Sequence, residues 1–329
     1  MPLLRADLAL IGFGHVGKRF ARLLDEQSAS LASGYGLSCR IVATATKRHG
    51  CEAGGKPCAD AFEAIDYLAS SNADLRVVVE TTTLDIERGE PAAAHVRAAI
   101  AAGCHVVTAN KGPVAFAYDT LHAAATAAGV SFRFEGAVMD GVPVFNLVRE
   151  TLPCVRVTGF EGVVNATTNH ILTEMERGAS FATALAKMQA DGVAEADPSL
   201  DVLGWDAAAK TAALANVLMG ARITPHDVKR TGITEQTGKR AREAMTRGRR
   251  IKLVASARKA ADGSLSARVE PRELPAEDLL AGLDGSANAL ILDTDLLDRI
   301  AICQLSGSLT QTAYALLSDL VSIARSHRP

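Results

Sequence analysis

Residues 7–24 constrain the fold more than any other stretch. An apolar run from Asp7 meets the turn Gly12-Phe13-Gly14-His15-Val16-Gly17, and the residues that follow place Val16, Phe20, Leu23 and Leu24 on one helical face. A strand that ends in G-x-G-x-x-G and opens a helix uses its first glycine for the tight turn and its second for close backbone approach to a pyrophosphate. Its third serves helix–strand packing. The helix N-terminus then favours the negative charge of the phosphates. The bland alternative is an ordinary tight connection. Against it stands the rhythm of the chain beyond. Strand patterns at Cys39–Ala45, Leu75–Glu80 and His105–Thr108 alternate with helical patterns at Asp60–Ser70 and Pro91–Ala102. A further helix, Tyr118–Ala128, leads through Gly129 to a strand at Val130–Glu135. Such alternation predicts an α/β fold with a doubly wound parallel sheet over residues 1–150.

After Glu150 the rhythm changes. Val155–Val164 reads as a strand, Asn169–Arg177 and Phe181–Ala190 as helices, and Asp206–Met219 as a long Ala-rich helix. Later strands are expected at Ile251–Ala257, Leu265–Glu270, Ala289–Leu292 and Ile300–Gln304, before a closing helix at Thr310–Ala324. The pattern predicts an α+β domain over residues 151–308, with the segment 309–329 returning as a helix to pack on the first domain.

Composition excludes several classes of function. With 48% hydrophobic residues the 329-residue chain is a folded protein and no disordered tail. A formal net charge of −2 gives no global attraction to nucleic acid or anionic lipid. The basic stretch from Lys229 to Lys259 holds Lys239, Arg240, Arg242, Arg247, Arg249 and Arg250 but no aromatic residue for base stacking, and reads as a solvated helix face. Six cysteines without C-x-x-C spacing signal neither zinc nor a redox pair, so reduced thiols are expected. With no targeting or membrane-spanning pattern, the cytoplasm is the expected compartment.

Polar residues at strand ends carry the site expectations, because ligands of open parallel sheets bind at the carboxyl ends of the strands. Thr81, Thr82 and Thr83 follow the third strand, and Lys111, in Thr108-Ala109-Asn110-Lys111-Gly112-Pro113, follows the fourth. An NAD site usually places an acid at the end of the second strand. Here the chain reads Thr44-Ala45-Thr46-Lys47-Arg48, and the two basic residues favour the 2′-phosphate of NADP. In the second domain, Asp206 and Lys210 stand four apart on a helix whose remainder is almost wholly apolar, so they share a face and can act as a pair. Burial would disfavour the ammonium while the adjacent carboxylate would favour it. A plain surface ion pair is the competing reading.

Taken together these segments resemble homoserine dehydrogenase. The resemblance rests on Gly12–Gly17, on Val107–Gly112, on Gly162-Val163-Val164-Asn165-Ala166-Thr167-Thr168-Asn169, and above all on the stretch from Gly192 to Lys210. It implies a Rossmann-type N-terminal domain, a homodimer, and NAD(P)-dependent interconversion of L-aspartate 4-semialdehyde and L-homoserine in a cleft between the domains. By resemblance, Lys210 is the proton donor with Asp206 beside it; Glu195 and Asp201 bind substrate, and Lys111 contacts substrate or cofactor. Gly12, Phe13, Gly14, His15, Val16, Gly17, Lys47, Arg48, Thr82 and Gly307 join Lys111 in the cofactor site. Glu135, Val138, Asp140 and Val142 fall where some relatives hold a sodium ion, mostly through backbone oxygens. No feedback inhibition through an appended regulatory domain is expected.

Two departures accompany the resemblance. Ala166 replaces the usual glycine after Asn165, and the turn that normally faces the nicotinamide is Cys303-Gln304-Leu305-Ser306-Gly307-Ser308-Leu309, with bulkier side chains than usual. The second keeps another reading open, a reductase of the same build for a different small hydroxy acid with Gln304 and Ser306 in the altered pocket; a rival from a different class is a nucleotide-sensing protein without catalysis, against which the intact Glu195, Asp206 and Lys210 argue.

Overall fold

A computed structural model describes residues 3–47, 50–190 and 198–327. The chain forms two compact units, Met1–Asn146 with Ser308–Pro329, and Leu147–Gly307.

The first unit opens with β1 (Leu4–Ile11) and α1 (His15–Glu26), followed by α2 (Ser28–Tyr35) and β2 (Leu37–Thr46). A hairpin of β3 (Gly50–Ala53) and β4 (Lys56–Cys58) leads to α3 (Ala61–Ala69), β5 (Leu75–Glu80), α4 (Ala92–Ala101), β6 (His105–Thr108), α5 (Lys111–Ala128) and β7 (Phe132–Arg133). In the sheet the order is β4-β3-β2-β1-β5-β6-β7. β1 pairs in parallel with both β2 and β5, so the chain reverses its direction of winding between β1 and β5, the switch point where such sheets bind ligands. Ile11 stands beside Glu80, and Glu80 beside Thr108, so the loops after β1, β5 and β6 leave the sheet side by side.

The chain passes from the first unit to the second within α6 (Phe145–Thr151), and β8 (Val157–Val163), α7 (Ala166–Glu176), α8 (Phe181–Ala190), α9 (Ser199–Val202) and α10 (Trp205–Met219) follow. After β9 (Lys229–Arg230) come α11 (Glu235–Met245), β10 (Arg249–Lys259), β11 (Leu265–Pro275), β12 (Asn288–Thr294) and β13 (Arg299–Gln304). They form a six-stranded sheet, β13-β12-β8-β10-β11-β9, antiparallel except where β9 meets β11. The chain then returns to the first unit as α12 (Leu309–Ser326), whose Leu316, Leu317, Leu320 and Ile323 join Phe20, Leu23 and Leu24 of α1 and Leu8 and Leu10 of β1 in one core. Closing that core is the apolar stripe along α12, in which Ala313, Leu316, Leu317 and Leu320 stand at i, i+3, i+4 and i+7.

Several expectations need correction. The helix expected at Tyr118–Ala128 starts earlier, at Lys111: Asn110 caps it, its side chain accepting from the Gly112 amide at 2.8 Å. Pro113 is tolerated because a first-turn residue lacks an intrahelical acceptor for its N–H in any case. The strand anticipated at Val130–Glu135 shrinks to two residues, and Glu135 begins a short 3₁₀ turn. Cys51 and Cys58 are disulfide-bonded across the β3–β4 hairpin, against the expectation of reduced thiols; antiparallel pairing sets them opposite one another. Nor is the basic stretch a solvated helix face throughout. Lys252 is wholly buried on β10 and donates to Asn169 Oδ1 at 3.1 Å and to the Leu283 carbonyl, while Arg250 pairs with Glu176 and with Asp284. Among the described residues no helix is long and apolar enough to cross a membrane.

Candidate functional site

The glycine turn after β1 has three different steric requirements at its three glycines. Gly12 has φ +93, and a Cβ there would lie 2.5 Å from the Thr81 carbonyl carbon. A Cβ on Gly17 would meet the Gly12 carbonyl oxygen at 2.6 Å. Gly14 is exposed, with nothing within 4 Å of where a Cβ would stand. The two outer glycines are thus demanded by the protein's own packing, whereas the middle one keeps open ground at the N-terminus of α1, where it serves as N-cap without any side-chain cap. That cradle fits a dinucleotide pyrophosphate. Thr81 locks it from the neighbouring strand, its amide donating to the Ile11 carbonyl at 2.7 Å and its hydroxyl to the Gly12 carbonyl.

Beneath this turn lies a carboxylate to which sequence reasoning assigned no role. Glu80, the last residue of β5, is completely buried. It accepts from the Thr82 amide at 2.9 Å, from the Thr82 hydroxyl, and from the Thr108 hydroxyl at 2.7 Å. Burial raises its pKa above the ordinary carboxylate range, with these donors acting the other way. Asn110 Nδ2 donates to the Thr82 carbonyl at 2.9 Å, so Glu80, Thr82, Thr108 and Asn110 form one network that ends at Lys111, the first residue of α5. A charged residue closing the apolar run Val77-Val78-Val79 was the available signal.

Lys47 is exposed at the end of β2, and Arg48 lies outside the described residues. Val138 is buried, with Asp140 (φ 47) and Val142 half-buried beyond it. The Glu135 carboxylate is engaged by the amides of Val144 (2.6 Å), Phe145 (2.9 Å) and Asn146 (2.6 Å). Any cation held there would therefore draw on main-chain oxygens. Among the described residues no group of three His, Cys, Asp or Glu side chains is arranged for a metal.

In the second unit the structure brings Asp201, Asp206 and Lys210 around one asparagine. Gly204, in the left-handed region at φ 79, lets the chain turn from α9 into α10, whose first turn carries Asp206. Lys210, one turn on, places Nζ 3.2 Å from Asp206 Oδ2 and donates to the Val164 carbonyl at 2.6 Å. Only 14% of the Lys210 side chain and 15% of the Asp206 side chain is exposed, so the pair is largely desolvated and stronger than a surface ion pair. Asn165, 5% exposed, donates through Nδ2 to Asp201 Oδ1 at 2.7 Å and to Asp206 Oδ2 at 2.9 Å. Glu195 lies outside the described residues. Gln304, the last residue of β13, is buried and accepts from Asn288 at 3.1 Å, while Ser306 and Gly307 in the turn beyond are exposed. An oriented amine beside a carboxylate, shielded from water, can exchange a proton with a bound hydroxyl or carbonyl oxygen.

Both halves of the chain match a known family. The family model "homoserine dehydrogenase, NAD binding domain" matches residues 12–135, and the model "homoserine dehydrogenase" matches residues 143–321. The chain is 36% identical to an NAD(+)-dependent homoserine dehydrogenase of Pseudomonas canavaninivorans, covering 97% of this chain and 96% of that protein. It is 35% identical to the homoserine dehydrogenase of Methanocaldococcus jannaschii, covering 97% of this chain and 99% of that one. The crystal structure of a homoserine dehydrogenase from Thiobacillus denitrificans superposes with a TM-score of 0.87 at 33% identity, covering 99% of this chain and 74% of that one.

Proposed function

The chain belongs to the homoserine dehydrogenase family and is an NAD(P)-dependent oxidoreductase, and from that premise we propose that it interconverts L-aspartate 4-semialdehyde and L-homoserine with Lys210 as proton donor and acceptor. The observation that carries the reading is the shielded Lys210 ammonium, held at once by Asp206 and by the Val164 carbonyl. Bound nicotinamide supplies the hydride in one direction and accepts it in the other. As negative charge develops on the substrate oxygen, Lys210 donates its proton there, and Asp206 keeps the amine aimed. In the reverse direction Lys210 acts as the acceptor of the hydroxyl proton. Glu195 and Asp201 bind the substrate's ammonium group by charge, and Lys111 contacts substrate or cofactor.

The nucleotide is bound through Gly12, Phe13, Gly14, His15, Val16, Gly17 and Thr82, and Gly307 is a further cofactor residue. NADP is preferred over NAD, because β2 ends without an acid and exposes Lys47 next to Arg48. A sodium ion is held by main-chain oxygens of Glu135, Val138, Asp140 and Val142. This assignment is supported by the irregular backbone there and by the commitment of the Glu135 carboxylate elsewhere. The protein works as a cytoplasmic homodimer on a small molecule, with no nucleic-acid partner. Relatedness to dehydrogenases over nearly the whole chain favours catalysis of this reaction over a different hydroxy acid or a sensor without turnover.

Initial rates with homoserine, NADP or NAD, and sodium or potassium salts test substrate, coenzyme and cation together, and light scattering tests the dimer. Lys210→Ala is expected to keep its fold and NADPH affinity but to lose about 10²- to 10⁴-fold in kcat; unaltered turnover would remove Lys210 from the mechanism.

A further inference from the structure

Asn165 does two jobs with the two ends of one amide. It is the N-cap of α7, its Oδ1 accepting from the Thr168 amide at 2.8 Å and the Thr168 hydroxyl at 2.9 Å. The opposite end, Nδ2, has two N–H groups and sends one to each of two carboxylates, Asp201 at 2.7 Å and Asp206 at 2.9 Å. The preceding residue, Val164, holds Lys210 by its carbonyl. Two consecutive residues at the junction of β8 and α7 therefore grip both members of the ion pair, a carbonyl for the ammonium and an amide for the carboxylate.

We propose that Asn165 is a positioning residue for the proton-transfer pair, and that its amide ties Asp201 to that pair as one unit. This rests on the reading of Lys210 as the proton donor. Asp201 and Asp206 repel each other, and a donor shared between them stabilises both ionised forms without adding a charge that would compete with Lys210 for Asp206. Because Oδ1 is anchored by the helix N-terminus, the amide cannot rotate without breaking the cap, so the carboxylates inherit the orientation of α7.

The two jobs can be separated. Asn165→Ser keeps a capping oxygen but removes the bridging N–H groups; Asn165→Asp keeps the cap and sets a third carboxylate against the other two. Both variants are expected to fold, with NADPH affinity within about twofold of the unaltered protein. Asn165→Ser should lose about 10²-fold in kcat/KM for homoserine, the scale of a misplaced catalytic group, and Asn165→Asp more. In combination with Asp206→Asn, the serine variant should lose no more than about threefold further, because the group it positions is already altered. Independently of turnover, Lys210 should be modified by an amine reagent about fivefold faster in Asn165→Ser than in the unaltered protein, with other lysines unchanged, as read by mass spectrometry. Unchanged kcat/KM together with unchanged Lys210 labelling would overturn the proposal, as would fully additive losses in the double variant. If the unaltered protein fails to oxidise homoserine, the substrate reading falls, and the labelling experiment alone decides whether Asn165 holds the pair.

Discussion

Gly12 and Gly14 stand two residues apart in one turn under opposite constraints. A side chain at Gly12 would need a left-handed backbone and would press into the Thr81 main chain, whereas one at Gly14 meets only open space. Gly12→Ala should therefore lower both thermal stability and NADPH affinity. Gly14→Ala should leave the melting temperature within about 2 °C of the unaltered protein and still weaken NADPH by about tenfold or more, since its methyl group occupies only the ground expected for the pyrophosphate. Thermal melts and fluorescence titration of the two variants check this. A Gly14→Ala protein with undiminished NADPH affinity would mean that the coenzyme does not lie across this turn. The spacing of these glycines was legible in the sequence, but which of them the protein itself requires depends on Thr81, which lies 69 residues away and becomes a neighbour only because β5 pairs with β1.

At the scale of elements, the ends of β5 and β6 are tied together by Glu80. Glu80→Ala would leave the buried Thr108 hydroxyl without its acceptor, a loss of about 1–3 kcal/mol, and would release the half-buried Thr82 amide as well. Reduced stability and weaker coenzyme binding are both expected, with Glu80→Gln recovering part of each because one acceptor oxygen remains. The β3–β4 hairpin yields a second prediction. Cys154 and Cys303 are exposed, while Cys39 and Cys104 are held in the thiol form by burial, which pushes their pKa values up to about 12 and about 11. A thiol reagent should react quickly with two groups in the native protein and with two more only on unfolding. The last two, Cys51 and Cys58, should appear only after reduction. Six thiols in the unreduced, unfolded protein would contradict the disulfide. Helix and strand periodicity revealed most elements of both units, since burying one face imposes the period on the residues. It did not reveal the hairpin, α2 or the early start of α5, where short elements depend on caps and turns that carry no repeating pattern.

For the molecule as a whole, one half-buried histidine makes an acid limit to stability. His105 accepts from the Ser131 amide at 3.0 Å, and burial, followed by the charges of His327, Arg76 and Arg133, lowers its pKa to about 4 from the usual 6.5. The folded state thus disfavours the protonated ring, and the unfolded chain binds the extra proton first. This contribution to stability is present above pH 6.5 and is lost as pH falls through the window from 6.5 to about 4. The urea midpoint should fall across that window, and less steeply in His105→Gln; equal slopes in the two proteins would count against the assignment. The sequence alone determined the alternating α/β build of the first unit, the returning helix, the glycine turn and the pairing of Asp206 with Lys210, because each is written in periodicity or in spacing along one element. Tertiary structure alone decided that Asn165 joins Asp201 to that pair, that Glu80 underpins the strand ends, that the Glu135 carboxylate is committed to three amides, and that Lys252 is buried within a basic stretch. Each of these depends on hydrogen bonds and desolvation among residues 9 to 83 positions apart, and such distances leave no periodic trace in a chain.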